Sequence, residues 1–257
     1  MSGPLHGAGV VITRPARQAA GLAHEIAALG GRPLIFPAIV IKPPADDAPL
    51  REVQRDLGRY DIAIFVSANA VEYAVGDPAA WPAKLLPFAP GPGTAAALSA
   101  VGITNVRVPA TTMDSEGLLA LPELADVSGR RIVIFRGSGG RELLHTVLET
   151  RGARVDQIEC YRRTRPATGA AGLIEAWRDQ RIDAVTLTSS EGLDNLWAIF
   201  DAEARSYLVA TPAFVPHPSI AERAGSLGLR SIIVTPSADA GLLASLLEYF
   251  SAHPRPN

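Results

Sequence analysis

The stretch VVITRP at residues 10–15 returns as IVIFRG at residues 132–137, and this return decides the fold. Arg14 and Arg136 lie 122 residues apart. Gly30 and Gly152 keep that spacing, as do Arg32 and Arg154. FVSANAVEYA (65–74) matches LTSSEGLDNL (187–196) at the same offset. Later the offset slips: GPGTAAALSAVGI (91–103) answers HPSIAERAGSLGL (217–229) at 126, and Gly117 answers Gly241 at 124. A chain of 257 residues accommodates two modest domains. The duplication favours two similar lobes with a ligand cleft between them.

Short apolar runs alternate with helical patterns. Strands are predicted at Val10–Thr13, Leu34–Ile41, Ile62–Ser67, Val106–Val108, Arg131–Phe135, Val155–Tyr161, Ala184–Thr188, Tyr207–Ala210 and Ser231–Thr235. Most are continuous apolar runs, as in strands buried on both faces of a parallel sheet. Between the first two, Ala19, Leu22, Ala23, Ile26 and Leu29 recur at helical spacing, and Gly30-Gly31 stops the helix. The second copy repeats this over Glu142–Thr150, with Gly152 after it. Such alternation indicates an α/β fold with doubly wound parallel sheets. The proline-rich run 37–49 and TRPATGAAG (164–172) lie about a quarter of the way into each copy. The expected domains are therefore a discontinuous one, 1–40 plus 166–257, and a continuous one, 43–160. Segments 37–49 and 158–168 would connect them, and the tail after Ser251 is expected to fray.

Composition narrows the function classes. The content is 47% hydrophobic and 19% charged, as in a globular chain. A net charge of −2 and a pI near 6.2 give no global reason to bind nucleic acid or an anionic membrane. Basic residues are almost all arginine, with only Lys42 and Lys84 besides. Cys160 is alone, so it makes neither an internal disulfide nor a cysteine metal site. No apolar run approaches the ~20 residues of a membrane span, and MSGPLHGAG lacks the pattern of a signal peptide. We expect a cytoplasmic monomer without nucleic-acid or membrane partners.

Each copy has a strand that ends in a hydroxyl-bearing turn opening a helix: Ser67-Ala68-Asn69 and Thr188-Ser189-Ser190. These turns cap helices, and they also present free N–H groups to anions. Thr94 in GPGT and Ser219 in HPS are a second such pair. Arg14 and Arg136 stand at equivalent strand ends, where side chains of an open α/β sheet face the ligand crevice. Gly137-Ser138-Gly139-Gly140 suggests a dinucleotide turn, but Glu142 stands where the fingerprint needs its third glycine. The histidines 6, 24, 145, 217 and 253 show no metal spacing, and no GxSxG elbow is present. Tyr161 matches Ile39 in the first copy, so the repeat does not impose it, and a phenol there suits a weak acid or hydrogen-bond donor. A non-catalytic two-lobed binder of a polyanionic metabolite is the alternative reading.

In their order and spacing, VITRP, FVSANAV, GPGTAAAL, DSEGLL, RGSGGRELL, GARVDQIECYRR, TSSEGL and HPSIAERA resemble the uroporphyrinogen-III synthase family across essentially the whole chain. The resemblance implies two flavodoxin-like domains joined by a two-stranded connector. It implies a cofactor-free, metal-free lyase of haem and tetrapyrrole biosynthesis acting on a linear tetrapyrrole, hydroxymethylbilane. In such an enzyme the ring A hydroxyl leaves as water and ring D is inverted through a spiro-pyrrolenine. The tyrosine matching Tyr161 is the implied catalytic residue. Ser67, Asn69, Thr94, Ser189, Ser190 and Ser219, with Arg14 and Arg136 as a second tier, are the expected ligands of the substrate's carboxylates.

Overall fold

The computed structural model describes residues 3–253. Parts of the leader and frayed-tail expectations fall on residues 1–2 and 254–257 and lie outside the described residues. The elements in chain order are β1 (Gly9–Ile12), α1 (Ala16–Ala28), β2 (Arg32–Ile35), β3 (Val40–Lys42), α2 (Ala48–Arg55), β4 (Ile62–Phe65), α3 (Ala68–Ala74), β5 (Leu86–Phe88), α4 (Pro92–Ala100), α5 (Ser115–Leu119), α6 (Pro122–Ala125), β6 (Arg131–Gly137) and α7 (Leu143–Thr150). There follow β7 (Arg154–Thr164), α8 (Ala171–Arg178), β8 (Ala184–Thr186), α9 (Ser190–Ile199), α10 (Ala202–Ala210), β9 (Ala213–Val215), α11 (Pro218–Ser226), β10 (Ile232–Val234) and α12 (Ala238–Ala252). The chain divides into two compact units. The first runs to Val40 and resumes at Thr164; the second is Ile41–Arg163.

The first unit holds a sheet of order β10-β9-β8-β1-β2, parallel at every pairing. Counted along this unit the order is 2-1-3-4-5, the flavodoxin-like winding. In the second unit the order is β3-β7-β6-β4-β5, and β7-β6-β4-β5 repeats the first four positions of that winding in parallel. Strands β1 and β4 are buried along their whole length, which explains their unbroken apolar runs. Side chains alternate between the two faces of each sheet. Val11 joins the core with Val185 and Leu196, while Val10 and Ile12 pack with Leu22, Ile26 and Phe214. In the second unit Phe65 and Phe135 stack with centroids 4.9 Å apart on one face, while Ile64 and Ile134 pack against Leu144 and Leu148 on the other. Gly30 and Gly152 follow α1 and α7 with φ of +80° and +85°, the left-handed region that a helix terminator occupies without a Cβ penalty.

Three expectations are corrected. Tyr207–Ala210 belongs to helix α10, not to a strand. Asp201 caps that helix by accepting the Ala204 N–H at 2.9 Å, Ala204 and Leu208 are buried at helical spacing, and Tyr207 stacks on Trp177 at 5.6 Å. The strand that fills the predicted slot is the next apolar run, β9. Leu34–Ile41 is two strands, because Phe36 to Ile39 leaves the sheet at Pro37. Val106–Val108 pairs only through one isolated bridge, Phe88 to Arg107, in the position that β10 takes in the first unit. Within residues 37–49, expected to connect the domains, lie β3, which neighbours β7, and the first residues of α2. Among the described residues no helix is long and apolar enough to cross a membrane.

One buried cluster carries a stability prediction. Tyr60 is fully buried, donates its hydroxyl to Asp156 at 2.6 Å and accepts from Arg59 at 2.7 Å. Desolvation, and then the bond to Asp156, push its pKa up from 10.0 to about 12. The folded state thus favours the protonated phenol. Its contribution is complete below the unfolded pKa and is lost as the pH rises from 10 to 12. The expected loss is about 2 kcal/mol. Denaturant titrations across that window should show a steeper fall in wild type than in Tyr60→Phe; parallel curves would refute the assignment.

Candidate active site

In this winding the loops leaving the two central strands run in opposite directions, and the carboxyl ends of those strands open a crevice. In the second unit the strands are β4 and β6. Ser67 follows β4; its Oγ accepts the Ala70 N–H at 3.1 Å and so caps α3. The same oxygen lies 3.0 Å from the Tyr161 hydroxyl. Tyr161 sits on β7 beside Gly137, just past a register shift at Arg136/Gly137. Its ring is only 2% exposed and packs so close to Gly137 that a Cβ there would stand 2.6 Å from Cζ. The Tyr73 ring lies 6.2 Å away, and the Arg163 guanidinium carbon is 6.0 Å from the Tyr161 ring centroid.

Tyr161 and Arg163 line a cavity of about 400 Å³, together with Ser115, Arg141 and the loop Gly137–Gly140. A smaller hollow of about 270 Å³ shares Val66, Ser115, Arg141 and Leu144 with it. Arg141 makes an exposed ion pair with Glu116 at 3.2 Å. Arg136 also reaches the cavity wall, but its guanidinium is engaged. It donates to Glu142 at 2.7 Å, to the Gln157 side-chain oxygen and to the Gly139 carbonyl. Gln157 in turn donates to Glu142 at 2.8 Å. Arg136, and then Gln157, hold the Glu142 carboxyl below its ordinary range.

The first unit carries the equivalent positions. Ser189 accepts the Gly192 N–H at 3.0 Å and caps α9, whose first residue is Ser190. Arg14 is ion-paired with Asp239 on α12. The second pair of hydroxyls diverges. Thr94 is only 7% exposed on the first turn of α4. Ser219 is exposed on α11, with its hydroxyl 2.7 Å from His217 Nδ1, which also accepts the Ser219 N–H. Thus Tyr161 and Arg136 are brought together around one cavity, and Ser67 reaches it only through its contact with the Tyr161 hydroxyl. Ser67, Asn69 on the first turn of α3, and Thr94 lie outside its lining.

Sequence reasoning passed over Glu142 and Gln157 as partners of Arg136, and Ser115 as a wall of the cavity. Glu142 was within reach, because an acid six residues after an arginine across a glycine turn can fold back. Gln157 and Ser115 arrive from other elements and leave no local signal.

Among the described residues no group of three or more His, Cys, Asp or Glu could hold a metal ion. Cys160 is buried, and desolvation pushes its thiol up to about 12, so it is not a nucleophile at neutral pH. The chemistry the site offers is a phenol and a serine hydroxyl in contact, beside a loop of backbone amides and a cationic rim.

A family model described as uroporphyrinogen-III synthase HemD matches residues 20–245. The uroporphyrinogen-III synthase of Salmonella typhimurium is 33% identical over 244 residues, covering 93% of this chain and 99% of the relative. The Escherichia coli uroporphyrinogen-III synthase is 32% identical with the same coverage. A crystal structure of a mutant uroporphyrinogen III synthase from Thermus thermophilus superposes with a TM-score of 0.61, at 19% identity, over 95% of this chain and 99% of that one. At that identity the likeness speaks for the fold.

Proposed function

The chain belongs to the uroporphyrinogen-III synthase family, and from that premise we propose that it closes hydroxymethylbilane to uroporphyrinogen III with loss of water and inversion of ring D. The observation that carries the mechanism is the Tyr161–Ser67 hydroxyl contact beside the cavity. Tyr161 passes a proton to the ring A hydroxyl as its C–O bond breaks, and water leaves. The pyrrole nitrogen of ring A supplies the electron pair that expels it. The substituted carbon of ring D then attacks the methylene, which gives the spiro-pyrrolenine and, after rearrangement and proton loss, the inverted ring. Ser67 keeps the phenol hydroxyl in place.

The linear substrate also cyclises unaided, to the type I isomer. The protein's larger task is therefore to hold one conformation, which is catalysis by positioning. We assign the substrate's carboxylates to Ser67, Asn69 and Thr94 of the second unit and to Ser189, Ser190 and Ser219 of the first, with neighbouring amides. Arg14 and Arg136 remain the second tier, because protein acceptors already engage both guanidiniums. Helix N-termini and local arginines explain how a chain of net charge −2 attracts a polyanion. We take it to act as a cytoplasmic monomer, which light scattering checks for oligomeric state.

The test is incubation with freshly generated hydroxymethylbilane, followed by oxidation and separation of the isomers. A dominant type III product is expected. Type I alone, from protein with a cooperative unfolding transition, would replace the enzyme with a two-lobed binder of polyanions.

A further inference from the structure

The two copies differ just after the strands that carry the paired arginines. In the first, α1 begins at Ala16, two residues beyond Arg14, and ends at Ala28. In the second, α7 begins at Leu143, seven residues beyond Arg136, and ends at Thr150. The ends keep the 122-residue offset and the beginnings do not. Residues 138–142 are thus non-helical where their equivalents, 16–20, form the opening of a helix. Gly139 and Gly140 take φ of +71° and +108°, which a right-handed helix forbids. The cavity beside Tyr161 lies along this unwound segment and is lined by residues 137–141.

Arg136 sits where it prevents rewinding. In a helix opening at residue 138, the Gly139 carbonyl would accept the N–H of Leu143. Here it accepts from Arg136 instead. The same guanidinium holds Glu142 and Gln157, so the far end of the segment is fastened to β7. A Cβ on Gly140 would stand 3.0 Å from Arg136 Nη2, so the loop and the guanidinium are in close contact. Arg14 has no such task, since it pairs with Asp239.

We propose that Arg136 is a positioning residue whose guanidinium holds residues 138–142 out of helix α7 and so keeps open the cavity beside Tyr161. The proposal rests on reading that cavity as the active site, but part of its test does not. Hydrogen exchange on Arg136→Gln should show the amides of residues 141–144 slowing at least about tenfold as α7 extends toward its N-terminus. Unchanged or faster exchange overturns the proposal, whatever the enzyme assay gives. In turnover the same variant should lose about 100-fold in kcat, as misplacement of a reacting geometry does, with a larger share of type I product. Glu142→Leu keeps the fold in hand if Arg136→Gln does not. Glu142 is exposed, and its loss frees one anchor of the guanidinium, for an expected fall of about tenfold in kcat. Folded variants with wild-type kcat and isomer ratio overturn the positioning role. A wild-type protein that makes only type I product sinks the functional reading instead, and the exchange experiment still judges Arg136.

Discussion

Tyr161→Phe is expected to lower kcat by about 100-fold, the lower range for removal of a general acid, with little change in KM. The substitution deletes one oxygen whose contact is Ser67 Oγ at 3.0 Å. The ring keeps its packing on Gly137 and Tyr73. Ser67 keeps its capping bond from the Ala70 N–H, so α3 retains its start. The loss of stability should stay near the ~1 kcal/mol of a single hydrogen bond, well short of unfolding a two-unit chain. A large fall in turnover in a stable variant therefore isolates the phenol. Single-turnover formation of type III product measures it directly. Full turnover in the Phe variant would remove Tyr161 from the chemistry and leave departure of the hydroxyl to the substrate's own pyrrole nitrogen. Residual product should stay type III if the phenol serves departure alone, because conformation, which selects the isomer, is set elsewhere in the cavity.

The features legible in the sequence were those fixed by short-range rules or repeated at a constant offset. Gly30 and Gly152 had to end helices, and both hold the left-handed conformation that does so. The runs GVVI and IAIF are buried strands because nothing in them tolerates water. Ser67 and Ser189 cap helices at matching places, as their spacing implied. Tyr207–Ala210 misled because a short apolar run fits strand and helix alike; the deciding signal was the Asp201 cap before it, not the run itself. Arg136 was the hardest to read. Its position at a strand end pointed toward ligand, but the partners that engage it lie on a glycine loop, a helix start and a neighbouring strand. Only the folded chain brings those together. The unwinding that makes the cavity shows up in the sequence as four residues, GSGG, where the first copy has PARQ. The repeat offset is preserved across it, so the comparison of copies conceals the change until the helix boundaries are known.

Gly137→Ala tests the same site from the other side of the ring and should be as costly as losing the phenol. The backbone at 137 is not among the left-handed glycines, so alanine meets no conformational penalty there. The cost is contact: the added carbon would stand 2.6 Å from Tyr161 Cζ, 2.7 Å from Cε2 and 3.0 Å from the hydroxyl. The ring is buried, and its neighbours leave it no easy retreat. Either β6 and β7 part locally, which strains the Ser138 N–H bond to the Tyr161 carbonyl, or the ring tilts and pulls its hydroxyl off Ser67. Overpacking of this kind costs about 1–3 kcal/mol, so Tm should fall by a few degrees while the protein stays folded. Turnover should fall by about 100-fold, since the displacement acts on the reacting group itself. The double variant Gly137→Ala/Tyr161→Phe distinguishes the two routes to that loss. If alanine acts by moving the hydroxyl, the double variant turns over no more slowly than the worse single one, because a group already removed cannot be misplaced. If the two losses multiply, alanine damages something besides the phenol, with the loop that Arg136 holds as the nearest candidate. Wild-type kcat in Gly137→Ala would show that the placement of the Tyr161 hydroxyl does not govern the rate.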